Sequence, residues 1–136
     1  MIKKFKNIKG GVTLPHKKGT SEIPTEKFPI PKLVEIPMQQ HIGACCEVLV
    51  NKGDYVYVGQ VLGDTEKFVS APIHSSVSGK VTQIKDITLY NGAKSVSIVI
   101  ETDGNQNLLP GISKPDIATK EKFLKAVRSS GLTGLG

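Results

Sequence analysis

The chain has 136 residues, a formal net charge of +6, a hydrophobic fraction of 38% and no Trp. That length suits one domain with appendages, and the apolar content supplies one compact core rather than two. No apolar run reaches the roughly 18 residues of a membrane-crossing helix, and the basic N-terminus has no apolar stretch of the kind a secretory signal carries.

The positive charge is local. Lys3, Lys4, Lys6, Lys9, Lys17 and Lys18 lie in the first 18 residues with no acid among them, and the other 12 basic residues match the 12 acids. The basic character therefore belongs to an arm. Such an arm suits a solvated tail first, an acidic protein face or anionic membrane surface second, and nucleic acid last. Nucleic-acid binders interleave aromatic residues with their cations, and here only Phe5 lies within the run. Gly10-Gly11 and Pro15, Pro24, Pro29, Pro31 and Pro37 follow. Proline removes a donor and restricts its predecessor, so residues 1–32 read as an extended arm. Lys32–Ile36, with Val34 and Ile36 alternating against Leu33 and Glu35, reads as an edge strand entering a folded body over residues 33–103.

Met38–Ala44 is polar and turns at Gly43. His41 there, and His74 further on, each stand without a carboxylate or second histidine at a helpful spacing, so both read first as hydrogen-bonded structural residues. Cys45 and Cys46 are adjacent. Neighbouring cysteines strain the peptide between them if bonded, and two sulfurs fall short of a four-ligand metal or cluster site. They read as free thiols, one buried and one exposed.

Val48–Val81 sets short apolar runs between turns. Val48–Val50, Tyr55–Val58, Val61–Leu62 and Phe68–Val69 are expected strands. Lys52-Gly53-Asp54, Gly59-Gln60 and Ser78-Gly79 are expected turns, because glycine supplies positive φ and Asp caps the turn beside it. This spacing predicts a small antiparallel barrel or sandwich. The chain continues as Thr82–Lys85 and a loop. Asn91-Gly92 is a two-residue hairpin signal. Ser95–Glu101 then alternates, with Val96, Ile98 and Ile100 on one face and Ser95 and Ser97 on the other. Residues 104–116 read as a linker, and Thr119 N-caps a helix over Lys120–Ser130 with Glu121 early and Arg128 late, as the helix dipole prefers. Phe123, Leu124 and Val127 share one face of it, and Gly131 is placed to end it.

Several of these pieces resemble the N-terminal part of the RnfC protein of the Rnf complex, a membrane-bound ferredoxin:NAD oxidoreductase that couples electron transfer to ion pumping. They are Phe5, Gly10-Gly11-Val12, Pro15-His16, IPMQQHIGA (Ile36–Ala44), VNKGDYVYVGQVLGD (Val50–Asp64), FVSAPIHSSVSGKV (Phe68–Val81) and GLTGLG (Gly131–Gly136). The chain departs from the family's usual residues at Thr13-Leu14 and Cys45-Cys46.

The resemblance implies a mainly β barrel-sandwich hybrid of the biotinyl/lipoyl-like type, with an extended arm before it and a C-terminal helix after it. It implies that Gly131, Gly134 and Gly136 open a Gly-rich loop of a nucleotide-binding domain continuing beyond this sequence, over residues 104–136 and onward. FMN, NADH and 4Fe-4S clusters are implied for the longer family member and none for these residues. The implied role is a non-catalytic scaffold or docking module, peripheral on the cytoplasmic side of the membrane, whose partners are other subunits of the electron-transport complex. The alternative is a lipoyl or biotinyl carrier domain with Lys67, beside Glu66, as the attachment site. Lys67 lies 7 positions after Gln60 and 5 before Pro72, a shorter hairpin than the carrier pattern has, so Lys67 is expected to be unmodified.

Overall fold

The computed structural model describes residues 15–134. Lys3, Lys4, Lys6, Lys9 and Gly136 lie outside the described residues. Among the described residues there are seven strands and one helix: β1 (Leu33–Pro37), β2 (Glu47–Val48), β3 (Tyr55–Val56), β4 (Val61–Asp64), β5 (Ile73–His74), β6 (Gly79–Thr88), β7 (Lys94–Thr102) and α1 (Lys120–Ser129). They form a four-stranded sheet in the order β1-β7-β6-β3 and a three-stranded sheet in the order β2-β4-β5, with every strand pair antiparallel. The mainly β barrel-sandwich hybrid is the fold observed, and its single helix among the described residues is C-terminal.

The β6–β7 hairpin is its longest element. Leu89 N donates to Ala93 O at 2.8 Å and Gly92 has φ 82°. The turn is thus Tyr90-Asn91-Gly92, one residue longer than the two-residue form that Asn91-Gly92 suggests, with glycine in the left-handed position such loops require. β6 runs on to Thr88, where the sequence suggests a loop after Lys85, because its ladder with β7 continues through Thr88↔Lys94. The register shifts between Val81 and Gln83. An extra residue there bends the strand, which curls the hairpin around the core.

Met38, Val56, Leu62, Val81, Ile98 and Ile100 are fully buried and fill the space between the sheets. Each buried aliphatic side chain contributes about 1.5–3 kcal/mol relative to exposure. α1 has no buried residue, so this cluster, and not the helix, holds the domain together. Gly63 belongs to the same packing: a Cβ there would lie 2.5 Å from Met38 Sδ.

The expected strands Phe68–Val69 and Tyr55–Val58 need correction. Phe68–Val69 is not a strand. Ser70 Oγ donates to Lys67 O at 2.5 Å and to Thr65 O at 3.1 Å, folding this stretch back on itself, and β4 pairs instead with Ile73–His74. Tyr55–Val58 shortens to Tyr55–Val56, because Val58 turns to a parallel bridge with Leu108, with Val58 N donating to Asn107 O at 2.9 Å. That bridge ties the stretch after β7, which reads as linker, onto the barrel. The serine face of β7 is covered as well: Ser95 and Ser97 are both buried. Ser97 Oγ donates to Glu35 Oε1 at 2.6 Å, and Lys85 pairs with the other Glu35 oxygen at 2.9 Å. The Ser97 hydrogen bond, followed by that of Lys85, lowers the Glu35 carboxyl below its usual range.

Candidate functional site

The C-terminal end of α1 is fastened to the connection between β4 and β5. Thr119 caps the start of the helix, accepting from Lys122 N at 3.3 Å, which fixes where α1 begins and brings Arg128 into its last turn. Arg128 Nη2 donates to Asp64 Oδ1 at 2.6 Å, Thr65 O at 3.1 Å and Ser70 Oγ at 3.3 Å. Burial opposes ionisation of Asp64. The hydrogen bonds from Arg128 and from Thr65 N, with the charge of Arg128 and that of His74, outweigh it and hold the carboxyl below its usual range.

One turn on, Gly131 has φ 67° and its N–H donates to Arg128 O at 3.1 Å. A Cβ at Gly131 would stand 2.5 Å from Pro72 O and 3.2 Å from His74 Nδ1. Both the left-handed backbone and the close approach therefore require glycine. Arg128 and Gly131 hold the helix end in place, while Phe123 and Leu124 stay exposed.

Two hollows flank this latch. One, of about 620 Å³, lies beside Arg128 and Asp64 and is edged by Glu47, Glu66 and Lys67. The other, of about 790 Å³, is a groove between the His41–Ile42 turn, the Val69–Ala71 stretch, the Leu89–Asn91 turn and the tail Leu132–Gly134.

The residues singled out in the sequence fall as follows. Lys67 is exposed in the β4–β5 connection, on the rim of the first hollow. His41 Nδ1 accepts from Gly43 N at 2.9 Å, closing its own turn. His74 lies on β5 under Gly131. The two histidines thus have separate packing partners, and among the described residues no group of three or more His, Cys, Asp or Glu is placed to hold a metal ion. Cys45 and Cys46 are free thiols, exposed and buried respectively. Cys46 Sγ donates to Ala71 O at 3.2 Å, and burial pushes its thiol up.

Gly131 follows the C-terminus of α1, the end whose dipole repels anions, and its N–H is already used. Gly134 lines the groove, and Gly136 lies outside the described residues.

Sequence reasoning missed two features. Arg128 reads as a dipole-matching residue, yet it is the helix's anchor to the barrel. Asp103, which no motif of the sequence singles out, organises a polar cluster. Ser78 Oγ donates to its Oδ1 at 2.7 Å, Tyr55 Oη to its Oδ2 at 2.5 Å and Asn105 N to its Oδ1 at 2.9 Å. Asn107 joins through Tyr55 Oη at 2.9 Å. These donors, Ser78 first, bring the Asp103 carboxyl down to about 2.

Comparison with known proteins agrees with this architecture. The RnfC barrel sandwich hybrid domain family matches residues 6–105. The chain is 40% identical over 138 residues to the RnfC-type component of the Na+-translocating ferredoxin:NAD+ oxidoreductase complex of Acetobacterium woodii, covering 98% of this chain and 31% of that protein. It is 40% identical over 137 residues to the corresponding component of the proton-translocating ferredoxin:NAD+ oxidoreductase complex of Clostridium ljungdahlii, covering 97% and 30%. It is 33% identical over 135 residues to that of the ion-translocating oxidoreductase complex of Rhodobacter capsulatus, covering 96% and 26%. The chain thus spans about a third or less of the curated relatives it matches. On a match that takes in all seven strands, their turns and the buried core, the chain belongs to the RnfC barrel sandwich hybrid domain family.

Proposed function

We propose that this chain is the N-terminal scaffold and docking module of the RnfC protein of a membrane-bound, ion-translocating ferredoxin:NAD oxidoreductase, and that it is not itself catalytic. The observation that carries the reading is the latch. In a chain 40% identical along nearly its whole length to such proteins, the barrel grips the end of α1 through Arg128 and Gly131. A rigid body that fixes the direction of the chain leaving it is what a platform for a further domain needs.

In this reading Gly131 stops the helix and aims the chain, and Gly134 and Gly136 lie at the opening of a Gly-rich loop that is completed by residues beyond this sequence. FMN, NADH and 4Fe-4S clusters are held by that further part of the protein. The partners are the other subunits of the complex, met at the cytoplasmic face of the membrane. No helix among the described residues is long and apolar enough to cross a membrane, which suits peripheral attachment. The surplus lysines at 3, 4, 6, 9, 17 and 18 supply attraction to an acidic or anionic surface, with the salt dependence that exposed charges bring.

Retention of the complex lacking its RnfC protein on immobilised residues 1–136 tests the reading. Retention at low salt that weakens as salt rises, and that loses most of its salt dependence when residues 2–9 are deleted, is the expected result. A chain that retains none of the other subunits at any salt concentration overturns it.

A further inference from the structure

The groove beside the C-terminal tail is open and lined by both apolar and polar side chains. Its rim carries Ile42, Val69 and Tyr90, and Phe68 stands in solvent next to Val69. Ile42 is 94% exposed, Tyr90 101% and Phe68 102%. None of the residues lining the groove is Asp, Glu, Lys or Arg, in a chain that is 22% charged. Soluble proteins seldom leave large aromatic and aliphatic side chains clustered in water unless something covers them.

We propose that the occupant is the polypeptide that follows residue 136 in the full-length protein, packing an apolar segment of its own over Ile42, Val69 and Tyr90. This inference rests on the proposal that the chain stands at the N-terminus of a longer RnfC protein. Three observations select this occupant. First, Leu132–Gly134 form part of the groove wall, so a continuing chain departs from inside the groove. Secondly, that departure is fixed: Arg128 and Gly131 pin the helix end just before it. A tethered segment starting there has an effective concentration on the order of millimolar without any added contact. Thirdly, this chain covers 31% of the Acetobacterium woodii relative, so most of that protein's length lies outside the match. With no Asp, Glu, Lys or Arg in its lining, the groove offers neither the basic arm nor an acidic surface an opposite carboxylate, ammonium or guanidinium to pair with.

Thiol labelling tests it. Ile42→Cys and Tyr90→Cys are introduced separately in a Cys45→Ser background, with Lys52→Cys as an exposed reference. Both test positions are exposed, so neither change removes core packing. Labelling is timed in three samples: residues 1–136, the full-length protein alone, and the assembled complex. The expected result is free labelling in residues 1–136 and about tenfold or greater slowing in the isolated full-length protein, with Lys52→Cys unchanged. Free labelling in the isolated full-length protein overturns the proposal. If slowing then appears only in the complex, a different subunit is the occupant. Concentration-dependent slowing in residues 1–136 assigns the groove to a second copy and overturns it equally. Co-purification of the full-length protein with the membrane subunits is read in parallel. If it assembles while Ile42→Cys and Tyr90→Cys stay freely labelled, this inference fails and the docking role stands. If it does not assemble, the docking role fails whatever the labelling shows.

Discussion

Arg128 Nη2 lies 2.6 Å from Asp64 Oδ1, joining the last turn of α1 to the end of β4 across 64 positions of sequence. The same nitrogen reaches Thr65 O and Ser70 Oγ. The pair is partly exposed, at 39% and 37% of the two side chains. Solvent therefore screens it, and its contribution to global stability is no more than about 1 kcal/mol. Arg128→Ala should leave the melting transition of the barrel nearly in place while α1 exchanges its amide hydrogens much faster than β6 and β7. Hydrogen exchange measures both at once. Exchange in α1 that is unchanged in the variant would show that the helix is held by something other than this latch.

Gly79 and Gly53 make a matched test of close packing. Gly79 has φ 155°, and a Cβ there would stand 2.1 Å from Glu101 O on the neighbouring strand. Gly53 has φ 100°, with open space around it. Gly53→Ala carries only backbone strain, about 1 kcal/mol. Gly79→Ala adds a clash with main chain that cannot rotate away, and should cost about 3 kcal/mol or fail to fold. Urea unfolding of the two variants compares them. Equal losses would mean that the β6–β7 ladder yields at this point.

Asp103 should make stability depend on acid. Its folded pKa is near 2, below the ordinary 3.8. The folded state therefore favours the ionised form, so this contribution is complete above about pH 4 and is lost as pH falls toward 2. Asp103→Asn should flatten the acid limb of the stability curve over that window, and an NMR titration of the carboxyl should show the low midpoint. A titration near 3.8 would mean that Ser78 and Tyr55 do not hold it in solution.

Lys67 should remain unmodified in a host with active lipoate and biotin ligases. It lies in the connection between the paired strands β4 and β5, which folds back on itself through the bond from the Ser70 hydroxyl to Lys67 O. Intact mass decides the point, since a lipoyl or biotinyl increase on Lys67 would establish the carrier reading. Lys67→Ala should change stability by less than about 0.5 kcal/mol, as at most exposed positions.

What the sequence by itself determined was local. Thr119 and Gly131 bracket α1, because a cap and a left-handed residue act within four positions of themselves. Ile98 and Ile100 alternate into the core, because strand side chains alternate whatever the partner strand is. The QHIGA and FVSAPIHSSVSG stretches carried the family for the same reason: short exact runs are legible without a structure. The tertiary structure alone decided which distant groups meet. Ser97 sits on the outward side of an alternating strand, yet it is buried because Glu35, 62 positions away, closes over it. Phe68–Val69 has strand-like composition, but Ser70 bonds back to Thr65 and Lys67 and leaves Phe68 in solvent. Arg128 finds Asp64, and Asp103 finds Tyr55 and Ser78, only because two curled sheets bring those loops together. Propensity, capping and turn chemistry act over a few bonds, so they can be read along the chain. Sheet closure is set by the packing of the whole core at once, and no local pattern encodes which loops it leaves side by side.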